Sequence, residues 1–376
     1  MLACLHFFMT LTGVWQGKRM SVRTHQAIFY TNSFLFTYYT IGFYLHTFKI
    51  FTDDKTTIDD VIDTMFTILS ATNLLYNYIA IVFLRKEFRA LVDNLMNFDK
   101  YGIPKILRAY DERANVLTAF TFSYCFMAGA IIQMGAIFAY ETCMEHSVRT
   151  NKDMTCGYGC KVHYPYKYQS GISQIVHVTV GVYSLSFLAS SGGLFVCLFV
   201  SFVEYIIVRL DHLADMLLKV FDIEDYEDQK EALKLYVEYH ILIMGLVEQT
   251  NSCLLILSTP ALFIYSSIIG LSLFAILNGN IIKPSVNALG FIFTTFILSS
   301  YGQQLIMKSE AIGTAVYNSK WYHASPYLKK HAVFIITRSQ KPFLMNVGFG
   351  FYFYLPLFTQ IMRGAYTYMS LQINTD

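Results

Sequence analysis

The last fourteen residues, RGAYTYMSLQINTD, carry polar side chains on what the sequence predicts to be a membrane helix. Ala365, Met369, Gln372 and Asp376 are spaced by 4, 3 and 4 residues, so they form one stripe of a helix. Polar groups in hydrocarbon are costly unless they face protein or water. The stripe therefore indicates a helix that faces water, in which the amide meets a hydrated cation and Met369, or its neighbour Leu371, closes the path by dewetting. The alternative is that these polar groups join the helix to a neighbouring helix.

A second group of reactive side chains lies in one polar segment, where Cys143, Cys156 and Cys160 are close in sequence. Two of them can form a disulfide if the segment is extracellular, and the odd total of seven cysteines leaves at least one thiol free. Their spacing to His146 and His163 fits no metal-ligand pattern, so no metal site is expected. The sequence also lacks phosphate-loop, zinc-protease, hydrolase and kinase motifs. It therefore predicts neither an enzyme nor a cofactor.

The composition determines the class of protein. Of the 376 residues, 55% are hydrophobic and only 14% are charged, whereas a soluble domain has about 25% charged residues. The apolar runs are too long for barrel strands of about 10 residues, which indicates a helical protein of the lipid bilayer. A net charge of +2 without a basic arm gives no reason to expect a nucleic-acid partner.

Seven apolar segments are long enough to cross a bilayer as helices. They are residues 27–51, 60–84, 115–140, 172–208, 254–278, 284–305 and 350–373. Most Lys and Arg residues lie in residues 1–26 and in the loops 85–114, 209–253 and 306–342. Because basic loops stay in the cytoplasm, the sequence predicts a cytoplasmic N-terminus and an extracellular C-terminus.

Two regions outside the spans have their own pattern. The apolar run within residues 1–26 precedes its basic residues, which is the wrong order for a cleaved signal, so it predicts a short membrane-surface or re-entrant helix. Residues 209–253 keep helical apolar spacing and are predicted to extend helices four and five into water. At the cytoplasmic end of helix four, Glu204 and Arg209 are expected to pair at the surface or to snorkel towards it.

Three stretches near the C-terminus, AVYNSKWYHASP, LKKHAVFIITRSQKP and FTQIMRGAYTYMSLQ, resemble the C-terminal region of insect odorant receptors. The matching residues are Ala315, Tyr317, Ser319, Trp321, Tyr322, Arg338, Ser339, Gln340, Lys341 and Pro342. Thr367 departs mildly from the Ser that is common in the last motif. Length, number of spans and orientation agree with the resemblance in the rest of the chain, where no sharp motif occurs.

The resemblance implies an all-α membrane protein of seven transmembrane helices that is a subunit of an odorant-gated cation channel. It implies an odour-tuned subunit that pairs with the olfactory co-receptor (Orco-type) in a heterotetramer, in the plasma membrane of a sensory neuron dendrite. It divides the chain into a cytoplasmic N-terminus 1–26, six helices with the odorant pocket in 27–305, a cytoplasmic anchor region 306–342 and the final pore-lining helix 343–376. The implied interface residues are Trp321, Tyr322, Val333, Phe334 and Ile336, and the implied pore residues are Met369, Leu371 and Gln372.

The resemblance also places an odorant pocket in the outer halves of helices two, three, four and six. A volatile needs apolar walls, aromatic faces and one or two polar groups. The candidates are Leu69, Thr72, Asn73 and Tyr76 on helix two, Ile131, Met134 and Phe138 on helix three, and His177, Gly181, Tyr183, Ser184, Phe187 and Leu188 on helix four. Gly181 is expected to leave room, and the aromatic-rich spans favour an indole- or phenol-like ligand. Ordinary helix packing is the alternative for each of these positions.

Two other classes of protein stay open at this stage. A gustatory-type relative would share the fold but open as a homomer on non-volatile ligands, and its terminal motif is half met by TYMSLQI. A transporter or a metabotropic receptor is the third interpretation. The predicted orientation is opposite to that of a G-protein-coupled receptor, and midplane charges typical of transporters are lacking.

Overall fold

A computed structural model of the chain describes residues 2–17, 20–52, 58–150, 156–166, 171–279 and 281–373. The helices are α1 (Ala3–Leu11), α2 (Val22–Thr52), α3 (Ile58–Phe83), α4 (Arg85–Met96), α5 (Leu107–Phe138), α6 (Tyr140–Thr150), α7 (Gly171–Lys219), α8 (Tyr226–Leu277), α9 (Ile282–Asn318), α10 (Pro326–Ser339) and α11 (Leu355–Ile373). Short 3₁₀ turns lie at Val220–Asp222 and Trp321–His323, and two strands, β1 (Asn346–Gly348) and β2 (Phe351–Tyr352), precede α11.

Helices α2, α3, α5, α7, α8, α9 and α11 follow the order of the predicted spans, and they confirm the seven-helix fold. Among the described residues, α3, α5, α7, α8 and α9 are long and apolar enough to cross a membrane. The other two are more polar, because α2 is rich in Thr and Tyr and α11 contains Gln360 and Arg363. Helices α7 and α8 have 49 and 52 residues and so exceed the roughly 20 residues that a bilayer requires.

Helix α7 is the centre of the bundle and packs against α2, α3, α5, α8 and α9. Every residue from Gly193 to Leu210 is buried. Its closest neighbour is α5, because Gly129 lets the two backbones touch. A Cβ at this glycine would lie 2.6 Å from the Cα of Ser186, closer than real Cβ atoms come to other atoms.

Arg209 is fully buried, so the prediction that it snorkels or pairs at the surface is wrong. Helices α4 and α8 enclose this end of α7 instead of lipid or water. The guanidinium nitrogen Nη2 donates to three carbonyl oxygens at the end of α4. The acceptors belong to Asn94, Leu95 and Asn97, at 3.1, 2.9 and 2.6 Å. Because a helix ends with carbonyls that have no partner within it, Arg209 acts as the C-terminal cap of α4.

Glu204 is also fully buried, which again differs from the expected surface position. One carboxylate oxygen lies 3.7 Å from Nε of Arg113 on α5, whose side chain is half exposed. The guanidinium of Arg113 also lies 5.8 Å from the ring centre of Tyr301 on α9. The acidic side chain is therefore enclosed by neighbouring helices because its own helix lies at the centre of the bundle.

The N-terminal helix α1 is packed into the bundle against α5 and α7. The backbone N–H of Leu2 donates to Oδ1 of Asp111 at 2.7 Å, and that of Cys4 donates to Oδ1 of Asn115 at 3.0 Å. The hydroxyl of Tyr205 donates to the same oxygen of Asp111 at 2.8 Å. Side chains of α5 thus satisfy the free N–H groups at the start of α1.

The segment before α11 is an antiparallel β-hairpin. The sequence predicts helices alone, so this short two-stranded sheet was not expected. The hairpin is held against α8 by Asn251, whose side-chain amide donates to the carbonyl of Leu344 at 2.9 Å and accepts from the N–H of Asn346 at 2.7 Å. The turn passes through Phe349 and Gly350, both with positive φ. A glycine tolerates this conformation readily, whereas a bulky residue such as Phe349 rarely adopts it.

At the opposite end of the bundle, Cys143 and Cys156 form a disulfide, and Cys160 is a free thiol. Gln133 of α5 holds the following segment, because its amide donates to the carbonyl of Gly157 and accepts from the N–H of Gly159, both at 2.9 Å. The disulfide resolves the pairing that the sequence leaves open.

Candidate functional site

An internal cavity of about 90 Å³, here called the inner cavity, lies between α3, α5, α7, α8 and α9. Its lining includes Ser70, Asn73 and Leu74 of α3, Tyr124 and Cys125 of α5, Gly192 of α7, Tyr265 of α8, and Asn287 and Phe291 of α9. Most of this surface is apolar and part of it is aromatic. Asn73 is buried, and its side-chain oxygen Oδ1 has no hydrogen-bond partner at normal geometry among the described residues. The inner cavity therefore combines apolar walls with one buried acceptor.

Small side chains create this space. Cys125 and Ala128 of α5 face Ala189 and Gly192 of α7, and all four line the cavity. A Cβ at Gly192 would lie 2.0 Å from Cδ2 of Leu74, so only a glycine lets Leu74 keep its position. The inner cavity thus depends on the absence of side-chain volume at Gly192.

A second cavity of about 70 Å³, the middle cavity, adjoins the first. The two share Ser70, Leu74, Ala128, Ala189 and Asn287 in their walls. The middle cavity meets a larger space of about 700 Å³, the vestibule, formed where α3, α5 and α9 have their extracellular ends. These two spaces share Phe66, Ile132 and Lys283. Vestibule, middle cavity and inner cavity therefore follow one another into the bundle.

The vestibule is the charged part of this series. Lys283 Nζ lies 2.7 Å from Oδ1 of Asp63, and Lys161 Nζ lies 3.1 Å from Oδ1 of Asp60. The Lys283 side chain is only 16% exposed, so its ion pair is largely withdrawn from solvent. The number of charged lining residues falls from the vestibule to the middle cavity and then to the inner cavity. This gradient suits a neutral and mainly apolar molecule.

Of the four candidates on α3, Asn73 lines the inner cavity. Thr72 instead shares a hydrogen bond of 2.9 Å with the hydroxyl of Tyr44 on α2. The hydroxyl of Tyr76 donates to the carbonyl of Ile256 on α8 at 2.8 Å, and Leu69 packs in an apolar cluster described below. Thr72, Tyr76 and Leu69 thus serve helix packing in this structure.

The three candidates on α5 lie on its outer surface. Ile131, Met134 and Phe138 are 44%, 46% and 81% exposed and line none of the three spaces. The cavity side of α5 is formed instead by residues 121, 125, 128 and 132, which follow helical spacing. The predicted face is therefore rotated away from the bundle.

On α7, Leu188 lines the middle cavity, while the other candidates do not. Gly181 leaves no free space, because the hydroxyl of Tyr39 would lie 2.4 Å from a Cβ at this position. That hydroxyl donates to the carbonyl of His177 at 3.0 Å, and the ring of Tyr183 stacks on that of Phe187 with centroids 4.4 Å apart.

Tyr183 and Ser184 of α7 differ in their hydrogen bonding. The hydroxyl of Tyr183 donates to Oδ1 of Asn32 on α2 at 2.8 Å. Ser184 is fully buried, and its hydroxyl has no hydrogen-bond partner among the described residues. The cavity lining on α7 begins at Leu185, directly after Ser184, and continues to Gly193, so most of it lies on the cytoplasmic side of the candidate stripe.

Sequence reasoning missed most of the cavity lining, including Leu74, Tyr124, Cys125, Gly192 and Tyr265. A signal for part of it exists, because small residues recur at helical spacing on α5 and α7, where two helices leave space between them. No comparable signal marks Tyr265, because one aromatic side chain among many carries little information.

The pore-helix candidate Met369 is partly buried and packs against an apolar cluster of α3 and α8. This cluster, here called the coupling cluster, consists of Ile62, Phe66, Ile268, Leu271 and Phe274, with Leu69, Ile264, Ala275, Phe291 and Met369 packed on it. Phe66 also lines the middle cavity, and Phe291 of α9 lines the inner cavity. One chain of packed side chains therefore joins the cavities to α11. For Leu371 and Gln372 the structure describes the helical backbone, and their side chains lie outside the described residues.

The candidate anchor residues lie on or next to α10. This helix buries Leu328, Ala332 and Ile335, and it leaves Val333 and Phe334 48% and 62% exposed. The remaining candidates differ from one another: Tyr322 is exposed, whereas Trp321 and Ile336 pack on this chain's own core. Beside them the hydrogen bond from Lys320 Nζ to Asp222, 2.8 Å long, raises the pKa of Lys320.

A bundle of seven long helices with adjoining, mainly apolar cavities defines the fold of a multi-pass membrane protein. The sequence model of the 7tm Odorant receptor family matches residues 57–366, and the chain belongs to this family. Such proteins are receptors and not enzymes, as the sequence predicts.

Individual relatives are distant. Odorant receptor Or2 of Anopheles gambiae is 25% identical over 150 residues, which is 39% of each chain, and Odorant receptor 82a of Drosophila melanogaster is 25% identical over 344 residues, 83% of this chain and 81% of that protein. The chain spans less than half the length of the first three curated relatives that it matches. The structure of olfactory receptor OR5 from Machilis hrabei in complex with eugenol superposes with a TM-score of 0.77 at 14% identity, covering 100% of this chain and 98% of that one, which shows a shared fold.

Proposed function

We propose that the chain is a subunit of an odorant-gated, non-selective cation channel and that the odorant binds in the inner and middle cavities. The observation that carries this proposal is the pair of adjoining apolar cavities between α3, α5, α7 and α9. An enclosed apolar space with a few polar groups is the usual form of a small-molecule site. Drug-sized ligands occupy about 300 Å³ or more, so cavities of about 90 and 70 Å³ suit a volatile, with Leu74 moving to admit it.

The ligand in this proposal is a small aromatic volatile, of the indole or phenol type. Tyr124, Tyr265 and Phe291 offer ring faces and edges for stacking in the inner cavity. Oδ1 of Asn73 is a free acceptor for an indole N–H or a phenol O–H, which would satisfy an otherwise unpaired buried group. OR5 of Machilis hrabei was solved with eugenol, which is a phenol, and this supports the ligand class.

Opening of the channel would follow from the contact between the cavities and α11. A ligand shifts a two-state equilibrium only when it binds one state more tightly. A volatile that displaces Phe291 would repack the coupling cluster, which includes Met369. Met369 and Leu371 then form the apolar gate, and Gln372 offers a neutral dipole to a hydrated cation.

The partner in this proposal is the olfactory co-receptor, with which the chain forms a heterotetramer in the dendritic plasma membrane of a sensory neuron. Four large apolar or aromatic side chains, Tyr322, Tyr327, Val333 and Phe334, are exposed on and beside α10. Exposed apolar patches of this kind mark surfaces that other proteins cover. The anchor region would therefore bind a neighbouring subunit through Tyr322, Val333 and Phe334, while Trp321 and Ile336 support it from within the chain.

The test is whole-cell current in oocytes that express this chain alone or with the co-receptor, against a panel of aromatic and aliphatic volatiles. A fast inward current that requires both chains is the expected result. Gln372→Ala should change the permeability ratio between cations, and Gln360→Ala, near the start of the same helix, should not. Surface-labelled chain without any volatile-dependent current would contradict the proposal. A current from this chain alone would favour a homomeric, gustatory-type channel.

A further inference from the structure

One side chain stands where the vestibule and the middle cavity meet. Lys283 lines both spaces, together with Phe66 and Ile132, whereas Lys161 lines the vestibule but not the middle cavity. Lys283 follows the first residue of α9, and its side chain is 16% exposed. A molecule that moves from the vestibule to the middle cavity has to pass this ammonium group.

The hydrogen bonds of Lys283 are defined. Nζ donates to Oδ1 of Asp63 at 2.7 Å and to Oγ1 of Thr67 at 2.8 Å, and it lies 5.4 Å from the ring centre of Phe66. An ammonium group has three N–H donors. Two of them have acceptors among the described residues, which leaves one N–H for an acceptor that arrives through the vestibule or the cavity.

The charge of Asp63 determines which acceptor fits. Because Asp63 already balances the ammonium group, an anionic ligand would bring an additional buried charge, and such charges are costly when unpaired. A neutral oxygen avoids this cost and still receives a charge-assisted hydrogen bond. Most of the remaining wall of the middle cavity is apolar and includes Phe66, Ile132 and Leu188, although Ser70 and Asn287 also line it. The ligand group that fits is therefore uncharged, accepts a hydrogen bond and is attached to an apolar body. A neutral carbonyl group meets these three requirements.

We infer that Lys283 is a specificity-determining residue that donates a hydrogen bond to a neutral carbonyl oxygen of the ligand. Among the aromatic volatiles that fit the cavities, phenols included, the receptor thereby prefers those that also carry a carbonyl group, as aryl ketones, aldehydes and esters do, over analogues of the same shape that lack this oxygen. The inference rests on the proposed function, because it requires that the cavities bind the volatile. It concerns ligand choice, and so it can fail while the proposed function holds.

A matched pair of ligands tests the role of Lys283. Acetophenone and α-methylstyrene have nearly the same shape and differ in a carbonyl oxygen against a methylene group. Currents are recorded from the chain with its co-receptor, and the ratio of the two half-maximal concentrations is compared between variants. Lys283→Met with Asp63→Asn removes the donor and the charge together, so no buried charge is left unpaired. We expect acetophenone to lose about tenfold in sensitivity and α-methylstyrene to stay unchanged.

Two further variants keep the test decisive. Lys161→Met with Asp60→Asn removes the neighbouring ion pair, which does not line the middle cavity, and should leave the ratio unchanged. Thr67→Val removes an acceptor of Nζ, frees a second N–H, and should increase the preference for acetophenone about threefold. The Thr67→Val measurement tests the role of Lys283 even when the variant with both Lys283→Met and Asp63→Asn does not reach the cell surface.

The outcomes distinguish a failure of the proposed channel function from a failure of the proposed role of Lys283. Absence of current with every volatile, despite surface expression of the wild type, would contradict the channel function itself. Currents in which the wild type does not prefer acetophenone, or in which the Lys283 variant loses both ligands equally, would overturn the role of Lys283 alone. An unchanged ratio in Thr67→Val would also overturn it.

Discussion

The cytoplasmic and extracellular halves of the bundle are built differently, and α7 passes through both. From Gly193 to Leu210 every side chain of this helix is buried, whereas most residues between Gly171 and Val180 are exposed or half-buried. The cytoplasmic half contains buried polar groups that are tied to neighbouring helices, such as Arg209 and Tyr205. The extracellular half contains the cavities and the vestibule. The buried polar contacts and the cavities, where we propose that the ligand binds, thus lie in different halves of one set of helices.

The comparison predicts that the most damaging changes lie in the cytoplasmic half. Arg209→Met would leave three carbonyl oxygens at the end of α4 without their donor. We expect a loss of about 3 kcal/mol of stability, seen as a lower thermal unfolding midpoint of the detergent-solubilised protein and less protein at the surface. Arg108→Met, at an exposed site on α5, is the matched control and should behave as the wild type. Equal midpoints for the two variants would contradict the difference between the halves.

In the extracellular half, the largest effect should be on ligand sensitivity. Gly192→Ala adds a Cβ where Leu74 now lies, so Leu74 has to turn into the inner cavity. We expect the half-maximal odorant concentration to rise about tenfold, which corresponds to about 1.4 kcal/mol, while the unfolding midpoint changes little because Leu74 is flexible. Gly245→Ala on α8, where a Cβ meets open space, is the control. If the unfolding midpoint of Gly192→Ala fell as far as that of Arg209→Met, the two halves would not differ in their effect on stability.

A smaller effect is expected where the extracellular half meets α11. Met369→Ala truncates the side chain that packs on the coupling cluster and that we place at the gate. We expect the ligand-free current to rise about threefold, because a wider apolar ring dewets less readily. Recordings without odorant, normalised to surface expression, measure this. Met307→Ala, an exposed methionine on α9, should leave the resting current as it is. A lower resting current in Met369→Ala would place the gate elsewhere.

The smallest effect is predicted at the outer face of α5. Phe138 is 81% exposed and lines none of the three spaces, although the sequence suggests it as a ligand contact. Phe138→Ala should therefore leave the dose–response curve within about twofold of the wild type, as is usual for surface substitutions. A shift as large as that of Gly192→Ala would show that ligands bind outside the described cavities.

The sequence predicted the fold better than the site, for a physical reason. Long apolar segments have few alternatives to crossing a bilayer as helices, so the seven spans could be read from hydropathy alone. The side of each helix that faces the cavity depends on how α5 and α7 rotate against each other. The contact of Gly129 with Ser186 determines that rotation, and local spacing does not encode it. Among the candidates, Asn73 and Leu188 therefore line the cavities, while Ile131, Met134 and Phe138 lie on the outer face of α5.

The burial of Glu204 and Arg209 also could not be predicted from local sequence pattern. Hydropathy treats Glu204 and Arg209 as the polar end of a span, which predicts a position at the surface. Their burial follows from α4 and α8 folding around the end of α7, a tertiary arrangement that no local pattern in α7 records. The β-hairpin before α11 was missed for a related reason, because its position depends on Asn251 of α8.

The continuous course of α7 has a consequence for how such receptors diverge. Substitutions at small positions that line the inner cavity, such as Ala189 and Gly192, change the shape of that cavity, while the fully buried segment from Leu194 to Leu210 keeps the helix in place. With the odorant bound in this cavity, as we propose, a lineage can change its ligand by single mutations at little risk to folding. Duplicated copies of one gene would accumulate differences first in the extracellular half of α7. The sequence of its cytoplasmic half would stay similar between the copies.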